Sequence, residues 1–514
     1  MNLQDKDQPL QQSINLETGD IQGIIISGFK YLPFSRYLFL QIDNPVQART
    51  WLKKICPAIT TAKIEQTRAR RDPAINIAFT HVGLKQLGLS NEALNTFPQE
   101  FIEGMAAPYR SRQLGDVEKS KPEEWEKPWR REWTKTLNPE DYQVAEQRIH
   151  ILLIIQAADH YQLEKCCEVY LKQFDDSKKS DLSQAGRIIY KQDGYQYKPS
   201  ECGQNKPDRY FKEHFGFRDS ISQPAIEGSG KLLAPGQDCI KAGEFILGYP
   251  NALSTNTKIH LPPTPIVKTD FNHLKVLRGS LRDFGRNGSY LVFRKLRQDV
   301  ELFHKYFDLF EKEEKELMKA KLVGRWPSGV PLSLSPDRDP LADANGDAKL
   351  IEEWEAKLND FSYRDKDASG YGCPLGAHIR RVNPRDSLGN EPEESIKTSK
   401  LHRIIRRGAL YEDTEGREKG LLFICINANI RRQFEFIQQS WVQSSNFNGL
   451  YGEIDPLIGK DPKEARREMT LQQEPIRQSL QNLPTFVTVR AGGYFFLPSI
   501  SALHFLAEFS IGNE

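Results

Sequence analysis

The segment Ser35-Arg-Tyr-Leu-Phe-Leu-Gln-Ile-Asp43, followed directly by Asn44-Pro45, decides the fold of the N-terminal half. The Leu-Gln-Ile-Asp alternation at its end is typical of a half-buried strand. Asn44 is a good helix N-cap, and proline suits the first position of a helix, so we predict a helix through about Ile55. A dinucleotide-binding Rossmann domain would need a glycine-rich turn after this strand, and the sequence has none.

The same order of elements continues along the first half. The predicted elements are a strand at 74–79, a helix capped by Thr80, a strand at 150–158 and an amphipathic helix at 160–174. Residues 186–198 are predicted to form a hairpin that turns at Asp193-Gly194, a favoured turn dipeptide. This β-α-β…β-α-β order suits a ferredoxin-like sheet with helices on one face.

The second half of the chain repeats this order. Its predicted elements are a strand at 289–296, a helix at 298–313, a strand at 420–427, a helix through Trp441, a hairpin of 485–490 with 494–497, and a helix at 499–509. We therefore predict an α+β protein of two ferredoxin-like units, residues 1–230 and 231–514. Each unit has an antiparallel sheet with helices, and the two units face each other across a crevice. The stretches 119–131 and 319–345 break the pattern and are predicted to be long surface insertions.

Composition excludes several classes of protein. The 514 residues include 71 Lys and Arg and 69 Asp and Glu, and this net charge of +2 gives no signal for binding nucleic acid or a membrane surface. No apolar run approaches the roughly 18 residues of a membrane span, and the polar start shows no secretory signal. None of the seven cysteines forms a C-x-x-C pair, so we expect buried free thiols in a cytoplasmic protein.

Familiar catalytic motifs are absent from the sequence. Gly228-Ser-Gly-Lys231 lacks the first glycine of a phosphate-binding loop, and no strand is predicted before it. Neither H-E-x-x-H nor G-x-S-x-G occurs, which removes the simplest zinc-protease and serine-hydrolase interpretations.

Three segments combine chemically active residues with small, turn-forming ones. They are Phe215-Gly-Phe-Arg-Asp-Ser-Ile-Ser-Gln-Pro224, Gly372-Cys-Pro-Leu-Gly-Ala-His-Ile-Arg-Arg-Val-Asn-Pro-Arg385 and His402-Arg-Ile-Ile-Arg-Arg-Gly408. Each also has a plain structural interpretation. Asp219 could form an Asx-turn, His378 could be a hydrogen-bonded structural histidine, and the arginine pair could be a solvated face.

Together these segments offer the groups that a haem peroxidase needs. A single imidazole can hold a haem iron, and the Ala and Gly before His378 would let a flat macrocycle approach the backbone. Arg385 could offer a planar fork to an anionic propionate. Peroxide cleavage requires an acid that moves a proton between the two oxygens and a cation that stabilises charge on the departing oxygen.

At these residues the chain resembles the dye-decolorizing peroxidases, in the larger, advanced branch of that family. Gly216-Phe-Arg-Asp-Ser220 is similar to the family's G-x-x-D-G motif, and the residues from His378 to Arg385 match its histidine followed by I-R-x-x-N-P-R. Arg406 matches the distal arginine that begins the family's R-R-G triplet. Further matching segments lie at 77–88, 286–294, 324–329 and 455–459, so the resemblance runs from about residue 20 to the end.

The resemblance implies an enzyme that binds haem b, reduces hydrogen peroxide and oxidises bulky aromatic or phenolic reductants such as dyes. It implies that His378 binds the iron and that Asp219 and Arg406 act on peroxide. The implied haem contacts are Ser220, Ile221, Ser222, His378, Asn383, Pro384, Arg385 and Arg406.

Two features of the site are left open by the sequence. Ser220 stands where the family has a glycine, and a positive φ there would cost serine roughly 1–2 kcal/mol, although the residue could adopt an ordinary conformation instead. The acidic partner that would orient the His378 imidazole could be Glu435 or Asp455.

Bulky reductants would not reach a buried ring, so the electrons could pass through surface Tyr or Trp residues. The candidates are Trp125, Trp129, Trp133, Trp326 and Trp354, which lie in polar sequence but could equally be packing residues. A haem-handling protein without catalysis, and a ferredoxin-like scaffold without a cofactor, stay open as alternatives. Because ferredoxin-like sheets often pair, a homo-oligomer is open as well.

Overall fold

The computed structural model describes residues 14–63, 72–131, 148–175, 184–196, 212–255, 258–342, 344, 347–413, 415–461 and 467–509. In these ranges the β-strands are β1 Phe34–Ile42, β2 Ala74–Phe79, β3 Ile151–Ala157, β4 Gly186–Tyr195, β5 Ala225–Ile226, β6 Cys239–Ile240, β7 Ile266–Lys268, β8 Lys275–Arg278, β9 Leu281–Asp283, β10 Ser289–Gln298, β11 Ile405–Arg406, β12 Ala409–Glu412, β13 Lys419–Asn427, β14 Met469–Leu471, β15 Gln478–Leu480 and β16 Val487–Leu497. The α-helices are α1 Gly23–Ile26, α2 Pro45–Ile55, α3 His81–Gln86, α4 Asn91–Leu94, α5 Gln99–Glu103, α6 Pro108–Gln113, α7 His160–Leu171, α8 Val300–Tyr306, α9 Lys312–Val323, α10 Ala348–Lys357, α11 Tyr363–Asp367, α12 His378–Val382, α13 Pro392–Leu401 and α14 Ile500–Glu508. None of the helices in this described part of the chain is long and apolar enough to cross a membrane.

The opening strand and helix form as predicted. β1 is buried along nearly its whole length, and the side chain of Asn44 accepts the backbone N–H groups of Val46 and Gln47 at 3.0 and 3.1 Å. These two bonds satisfy donors that the start of α2 would otherwise leave unpaired. Thr80 and Ser499 cap α3 and α14 in the same way.

Each half of the chain builds a four-stranded antiparallel sheet. The N-terminal strands lie in the order β2-β3-β1-β4, and the C-terminal strands lie in the order β12-β13-β10-β16. In both sheets the first and third strands in chain order are central, which is the ferredoxin-like arrangement. The predicted α+β class with two ferredoxin-like units is therefore confirmed.

The two sheets join edge to edge into one closed, eight-stranded barrel. β16 meets β2 where Phe496 pairs with Phe79, and β12 meets β4 where Leu410 pairs with Tyr195. Free edges expose unpaired peptide groups, and each seam pairs two edges that would otherwise be open. The two sheets thus share one barrel core, and the two units are joined along their sheet edges.

The Asp193-Gly194 pair lies inside a strand, which corrects the predicted hairpin turn. β4 runs without interruption through both residues and pairs with β1. The Asp193 carboxylate accepts two hydrogen bonds, at 2.6 and 2.7 Å, from the buried guanidinium of Arg36. A Cβ atom on Gly194 would lie 3.0 Å from the Ser35 hydroxyl and from two apolar side chains, so glycine here allows close packing and not a turn.

The hairpin predicted near the C-terminus is also a single strand. β16 continues through Gly492 and Gly493, where the sequence predicts a turn. A Cβ atom on Gly492 would lie 2.6 Å from the sulfur of Met105, and one on Gly493 would lie 3.2 Å from the ring of Trp129. The two glycines therefore make room for side chains packed on the strand.

Residues 119–131 are only partly a surface insertion, because their two tryptophans are buried while their charged side chains at 119, 121, 124, 127 and 130 are exposed. Trp125 is fully buried, and Trp129 stacks on Phe293 with ring centroids 5.4 Å apart. Trp129 also packs against Phe39 and Phe495. Since these three phenylalanines come from β1, β10 and β16, which belong to both halves, the Trp129 ring lies in the barrel interior.

The long helix predicted at residues 298–313 is broken into two. α8 ends at Tyr306, a short 3₁₀ turn covers Phe307–Leu309, and α9 follows from Lys312. The stretch after α9, predicted as surface insertion, is buried at its start, where the Trp326 indole donates to the carbonyl of Ser335 at 2.7 Å. These parts form a second apolar core beside the barrel.

Candidate active site

A cavity of about 300 Å³ lies beside the C-terminal sheet, and all three chemically active segments contribute to its wall. The contributing residues from these segments include Asp219, Ile221, Ser222, His378, Asn383, Arg385, Arg403 and Arg406. The barrel strands β10, β13 and β16 add apolar side chains such as Leu296, Leu422 and Val487. The wall thus draws on both sides of the predicted boundary near residue 230, although the N-terminal side supplies residues 213–222 alone.

His378 begins the short helix α12 and is oriented by Asp455. Its Nδ1 lies 2.9 Å from Oδ2 of Asp455, whose side chain is fully buried. The other carboxylate oxygen accepts the backbone N–H groups of Leu457 and Ile458 at 2.9 and 2.8 Å. Burial raises the pKa of Asp455, but the contacts with His378 and Ile458 outweigh it, so this pKa lies below its usual value. The ionised carboxylate holds a proton on Nδ1 and makes Nε2 the nitrogen that can bind a metal.

The two acids left open by the sequence have separate partners. Asp455 contacts His378, as described. Glu435 instead accepts hydrogen bonds from Arg110 and Tyr494 at 2.5 and 2.8 Å. The histidine–carboxylate contact in this site is therefore made by Asp455.

Two buried arginines next to His378 hold α12 in place. Arg380 donates to the carbonyl of Cys373 at 2.8 Å, and Arg381 donates to the carbonyl of Trp441 at 2.8 Å. A buried guanidinium requires such acceptors, because leaving it unpaired is costly. The arginines that follow the histidine in sequence are thus structural anchors for the helix that carries it.

Asp219 and Arg406 form an ion pair in the cavity wall. Oδ1 of Asp219 accepts from an Nη of Arg406 at 2.9 Å and from the backbone N–H of Ser220 at 2.5 Å. The backbone N–H of Arg406 donates to the side chain of Gln223 at 3.0 Å, which ties the two segments together. The exposed fractions of the two side chains are 29% for Asp219 and 35% for Arg406, so both can contact a small molecule in the cavity.

The next residue, Arg407, points away from this cavity. Its guanidinium donates to the carbonyl groups of Ile24 and Ile25 in α1, at 2.8 and 3.1 Å. Burial lowers the pKa of Arg407 to about 10, which still leaves it charged at neutral pH. The arginine doublet therefore divides between the cavity and the N-terminal half.

Ser220 has a left-handed backbone, with φ at +65°. This conformation costs a non-glycine residue about 1–2 kcal/mol, so the serine at the family's glycine position carries strain. The Ser220 side chain is exposed and does not line the cavity, and Pro384 does not line it either. Ile221 and Ser222 do line it, as predicted.

Five arginines, Arg218, Arg325, Arg385, Arg403 and Arg406, contribute to the cavity wall. Arg385 lies over the ring of Phe361, 4.0 Å from its centroid, and donates to two backbone carbonyl groups. Burial lowers the pKa of Arg325 and of Arg403 to about 10, and the charge of Arg385 contributes in both cases. The wall is therefore rich in buried positive charge.

The residues present fit a haem. The buried Nε of Arg403 has no hydrogen-bond partner in the described part of the chain, which is the kind of orphaned donor that an anionic ligand would satisfy. The apolar side chains of the sheet suit a flat macrocycle, and the arginines suit propionate carboxylates. His378 adds an imidazole whose Nδ1 is already held, as iron ligation requires.

Several residues of the wall were not predicted from the sequence, among them Glu213, Arg325 and Phe361. Glu213 stands two residues before the first segment, and Arg325 lies inside the matching stretch 324–329. Their closeness to these motifs in the sequence could have indicated that Glu213 and Arg325 belong to the site. Phe361 gives no comparable signal, because it reaches the site through its contact with Arg385.

The tryptophans differ from the surroundings predicted for them. Trp125, Trp129 and Trp326 are buried, with exposed fractions of 0%, 3% and 3%, so they are not surface residues. Trp354 is half-buried on α10, where the Lys357 ammonium lies 5.1 Å from its ring centroid. Trp133 lies outside the described residues.

Comparison with known proteins connects this geometry to a family. Residues 20–188 match the family model "DyP dimeric alpha+beta barrel domain", and residues 276–452 match "Dyp-type peroxidase, C-terminal". Peroxidase 2 of Mycetinis scorodonius is 28% identical over 96% of this chain and 88% of its own length. A dye-decolorizing peroxidase of Auricularia auricula-judae is 29% identical over 95% of this chain and 86% of its own length.

Solved structures agree with these sequence matches. An ancestral D-type dye-decolorizing peroxidase is 28% identical, with a TM-score of 0.72 over 95% of this chain and 99% of that chain. The crystal structure of the fungal DyP-type peroxidase from Auricularia auricula-judae is 26% identical, with a TM-score of 0.72 over 96% of this chain and 100% of that chain. The chain therefore belongs to the dye-decolorizing (DyP-type) peroxidase family and is a haem-dependent oxidoreductase that acts on peroxide.

Proposed function

We propose that the cavity binds haem b and that His378 is its iron ligand through Nε2. The absence of a C-x-x-C-H sequence supports a haem held without covalent bonds. A bound haem would supply the redox chemistry, because it can be oxidised by peroxide and reduced again by electrons from a reductant. In this proposal Ile221, Ser222, Asn383 and Arg385 contact the macrocycle.

Arg403, which the sequence did not single out, would join Arg385 in binding the propionates. Support comes from its burial in the wall and from its unpaired Nε. Ser220 and Pro384 would act through the backbone of the two segments that carry Asp219 and Arg385, because neither lines the cavity.

Asp219 is proposed as the group that moves the peroxide proton. Its Oδ1 already accepts two hydrogen bonds, from Arg406 and from the Ser220 N–H, which leaves Oδ2 as the oxygen better placed to take a proton and return it. The guanidinium of Arg406 is a cation and can stabilise negative charge on the departing oxygen.

The observation that carries the proposal is the Asp219–Arg406 pair in the wall of the cavity that also contains His378. A protein that only stores or delivers haem would need His378 and the arginines that bind propionate. It would have no use for a half-exposed acid paired with a cation in the same cavity. The pair therefore favours catalysis over haem handling.

The proposed substrates are hydrogen peroxide and a bulky aromatic reductant such as a phenol or dye. The names of several relatives, dye-decolorizing peroxidases of Mycena epipterygia and Exidia glandulosa among them, support dyes as test substrates. For reductants that cannot enter, we propose Trp354 as an electron relay. It is partly accessible, and its helix α10 leads directly to Phe361 and Tyr363 in the cavity wall.

We also propose a cytoplasmic location. Six cysteines in the described part of the chain are unpaired thiols, and four of them are buried. Such thiols are typical of a reducing compartment.

The experiment compares Asp219→Asn, Arg406→Leu and His378→Ala after reconstitution with haem. Asp219→Asn should slow the reaction with peroxide by about 10²–10⁴-fold and Arg406→Leu by about 10²–10³-fold, both with a normal Soret band. His378→Ala should lose the Soret band or weaken haem binding. Glu227→Gln is a matched control, because this carboxylate pairs with Lys241 at 2.8 Å outside the cavity wall. Unchanged peroxide rates in both Asp219→Asn and Arg406→Leu would contradict the assignment.

A further inference from the structure

Glu213 is a carboxylate of the cavity wall that closes a tight turn just before Asp219. Its Oε2 accepts the backbone N–H of Phe215 at 2.9 Å, and its Oε1 accepts the backbone N–H of Phe217 at 2.9 Å. Its own backbone N–H donates to the carbonyl of Phe217, also at 2.9 Å. One side chain therefore fastens the turn from the inside.

Two further hydrogen bonds stabilise the turn whose Phe215 and Phe217 N–H groups donate to Glu213. Gly216, at φ +98°, allows the chain to reverse, and its N–H donates to the carbonyl of Glu213 at 2.8 Å. From β10, Gln298 donates to Oε2 of Glu213 at 2.6 Å, which fixes the carboxylate against the barrel. A buried N–H that loses its acceptor is costly, so the carboxylate has a strong effect on the shape of this turn.

The charge of Glu213 is sensitive to its surroundings. Burial raises the pKa of Glu213 to about 7, and the negative charge of Asp219 adds to this rise, while the hydrogen bonds from Phe215, Phe217 and Gln298 oppose it. Glu213 and Asp219 both contribute to the wall of the same cavity.

The Asp219 segment is anchored separately on its downstream side. The carbonyl of Ile221 accepts from the side chain of Asn359 at 3.0 Å, and the carbonyl of Ser222 accepts from Arg403 at 3.2 Å. The upstream anchor consists of the turn that Glu213 fastens, which ends two residues before Asp219, and of Arg218, whose backbone N–H donates to the carbonyl of Pro327 at 3.2 Å and whose guanidinium pairs with Glu355 at 2.5 Å. The position of the Asp219 carboxylate against Arg406 therefore depends on both anchors.

We propose that Glu213 is a positioning residue for Asp219, because it fixes the turn that sets where the Asp219 carboxylate stands against Arg406. This inference rests on the proposed function, since it concerns the acid assigned to peroxide. Glu213 itself need not contact peroxide.

Glu213→Gln is the informative change because it keeps the size of the side chain. A carboxamide has one oxygen and one NH₂ group. Placing the oxygen at Oε2 keeps the bonds from Phe215 and Gln298, but it turns the NH₂ group towards the N–H of Phe217 and breaks that bond. The turn should therefore loosen at the residue nearest to Asp219.

The test is a double-mutant cycle of Glu213→Gln with Asp219→Asn, followed by rapid mixing of the haem-loaded protein with hydrogen peroxide. Glu213→Gln alone should slow the peroxide reaction about 10- to 100-fold, as a small misplacement of a reacting group does. In the Asp219→Asn background it should slow the reaction less than about twofold, because the group that it positions is already absent. The KM for the reductant and the haem affinity, measured by Soret titration, should not change.

Two further variants keep the test decisive. Glu213→Asp retains the charge but shortens the side chain, so it cannot hold both N–H groups and should also slow the reaction; it serves if Glu213→Gln fails to fold. Glu227→Gln removes a carboxylate that lies three residues beyond the Asp219 segment and outside the cavity wall, so it should leave the rate unchanged.

Equal slowing in both backgrounds, or no slowing by either Glu213 variant, would overturn the inference. Such results leave the proposed function intact as long as Asp219→Asn itself is slow. A chain that binds no haem, or a normal peroxide rate in Asp219→Asn, would instead defeat the proposed function, and the role of Glu213 would fall with it.

Discussion

Replacing Asp455 by asparagine should reverse the proton placement on His378. In the native site, Oδ1 of Asp455 accepts two backbone N–H groups, from Leu457 and Ile458, while Oδ2 accepts from Nδ1 of His378. If the carboxamide oxygen of the new side chain kept the two backbone bonds, its NH₂ group would face Nδ1. Two donors cannot face each other, so Nδ1 would become an acceptor and the proton would move to Nε2.

The magnitudes favour this orientation of the new amide. Turning the amide around would leave two buried N–H groups without an acceptor, at about 1–3 kcal/mol each. Keeping those bonds sacrifices one charge-assisted bond to the imidazole, at about 1.5–3 kcal/mol. An imidazole with its proton on Nε2 cannot bind a metal through that nitrogen, and loss of such an orienting partner typically costs about 10- to 100-fold in metal affinity. We therefore expect Asp455→Asn to weaken haem binding by at least tenfold, or about 1.4 kcal/mol.

Two measurements check this reasoning. Titration of the haem-free protein with haem, followed at the Soret band, gives the affinity, and imidazole ¹⁵N chemical shifts of the haem-free protein report which nitrogen of His378 carries the proton. Asp347→Asn is the control, because Oδ1 of Asp347 likewise accepts two backbone N–H groups, those of Lys349 and Leu350 at 3.0 and 3.1 Å, at the start of α10 and away from α12. An Asp455→Asn protein that keeps both the native haem affinity and the proton on Nδ1 would refute the argument.

Three further predictions concern stability, measured by chemical unfolding of the haem-free protein. Ser220→Gly should raise the free energy of unfolding by about 0.5–1 kcal/mol, because it removes strain of about 1–2 kcal/mol at φ +65° and adds a smaller entropy loss on folding; a lower midpoint would contradict it. Gly194→Val should lower stability by about 1–3 kcal/mol, because its side chain would overpack against Ser35 and the facing strand, and an unchanged midpoint would count against this packing. Glu213, whose pKa is raised from 4.5 to about 7, binds more protons in the folded state than in the unfolded state, so stability should fall as pH rises between these values, by up to about 3 kcal/mol. Glu213→Gln should flatten that part of the profile, and a decline of the same size in this variant would assign it to other groups.

Local signals in the sequence predicted the elements that begin with a cap, but not the turns. Asn44-Pro45 and Thr80 act within their own helices, so neighbouring residues contain the whole cause. Asp193-Gly194 has the composition of a turn, yet its side-chain partner, Arg36, is 157 residues away in the chain. Gly492 and Gly493 are likewise explained by Met105 and Trp129, whose side chains pack against these two glycines. A glycine in the sequence indicates either close packing or an unusual φ, and only the folded structure shows which of the two applies.

The same limit applies to the partner of His378. Glu435 and Asp455 both lie downstream of the histidine in apolar surroundings, and local composition does not distinguish them; the one available signal was that Asp455 begins the matching segment 455–459. The distinction comes from contacts between residues far apart in the chain, since Arg110 engages Glu435 across 325 positions and His378 meets Asp455 across 77. The neighbouring N–H groups of Leu457 and Ile458 then hold the Asp455 carboxylate in place. Residues proposed to touch the cofactor are grouped in short motifs, but the residues that orient them are selected by the tertiary structure.

One assignment did lie within reach of the sequence. Side chains of a strand alternate between its two faces, so adjacent residues of a strand-like run must point in opposite directions. Ile404 and Arg406 line the cavity, whereas Ile405 packs into the barrel core and Arg407 binds the carbonyl groups of α1. Once the run ending in Arg-Arg-Gly is taken as a strand, placing Arg406 in the site requires Arg407 to leave it. The alternation therefore separates a residue proposed to act on peroxide from one that joins the two halves of the chain, although the two have the same chemistry and are adjacent in sequence.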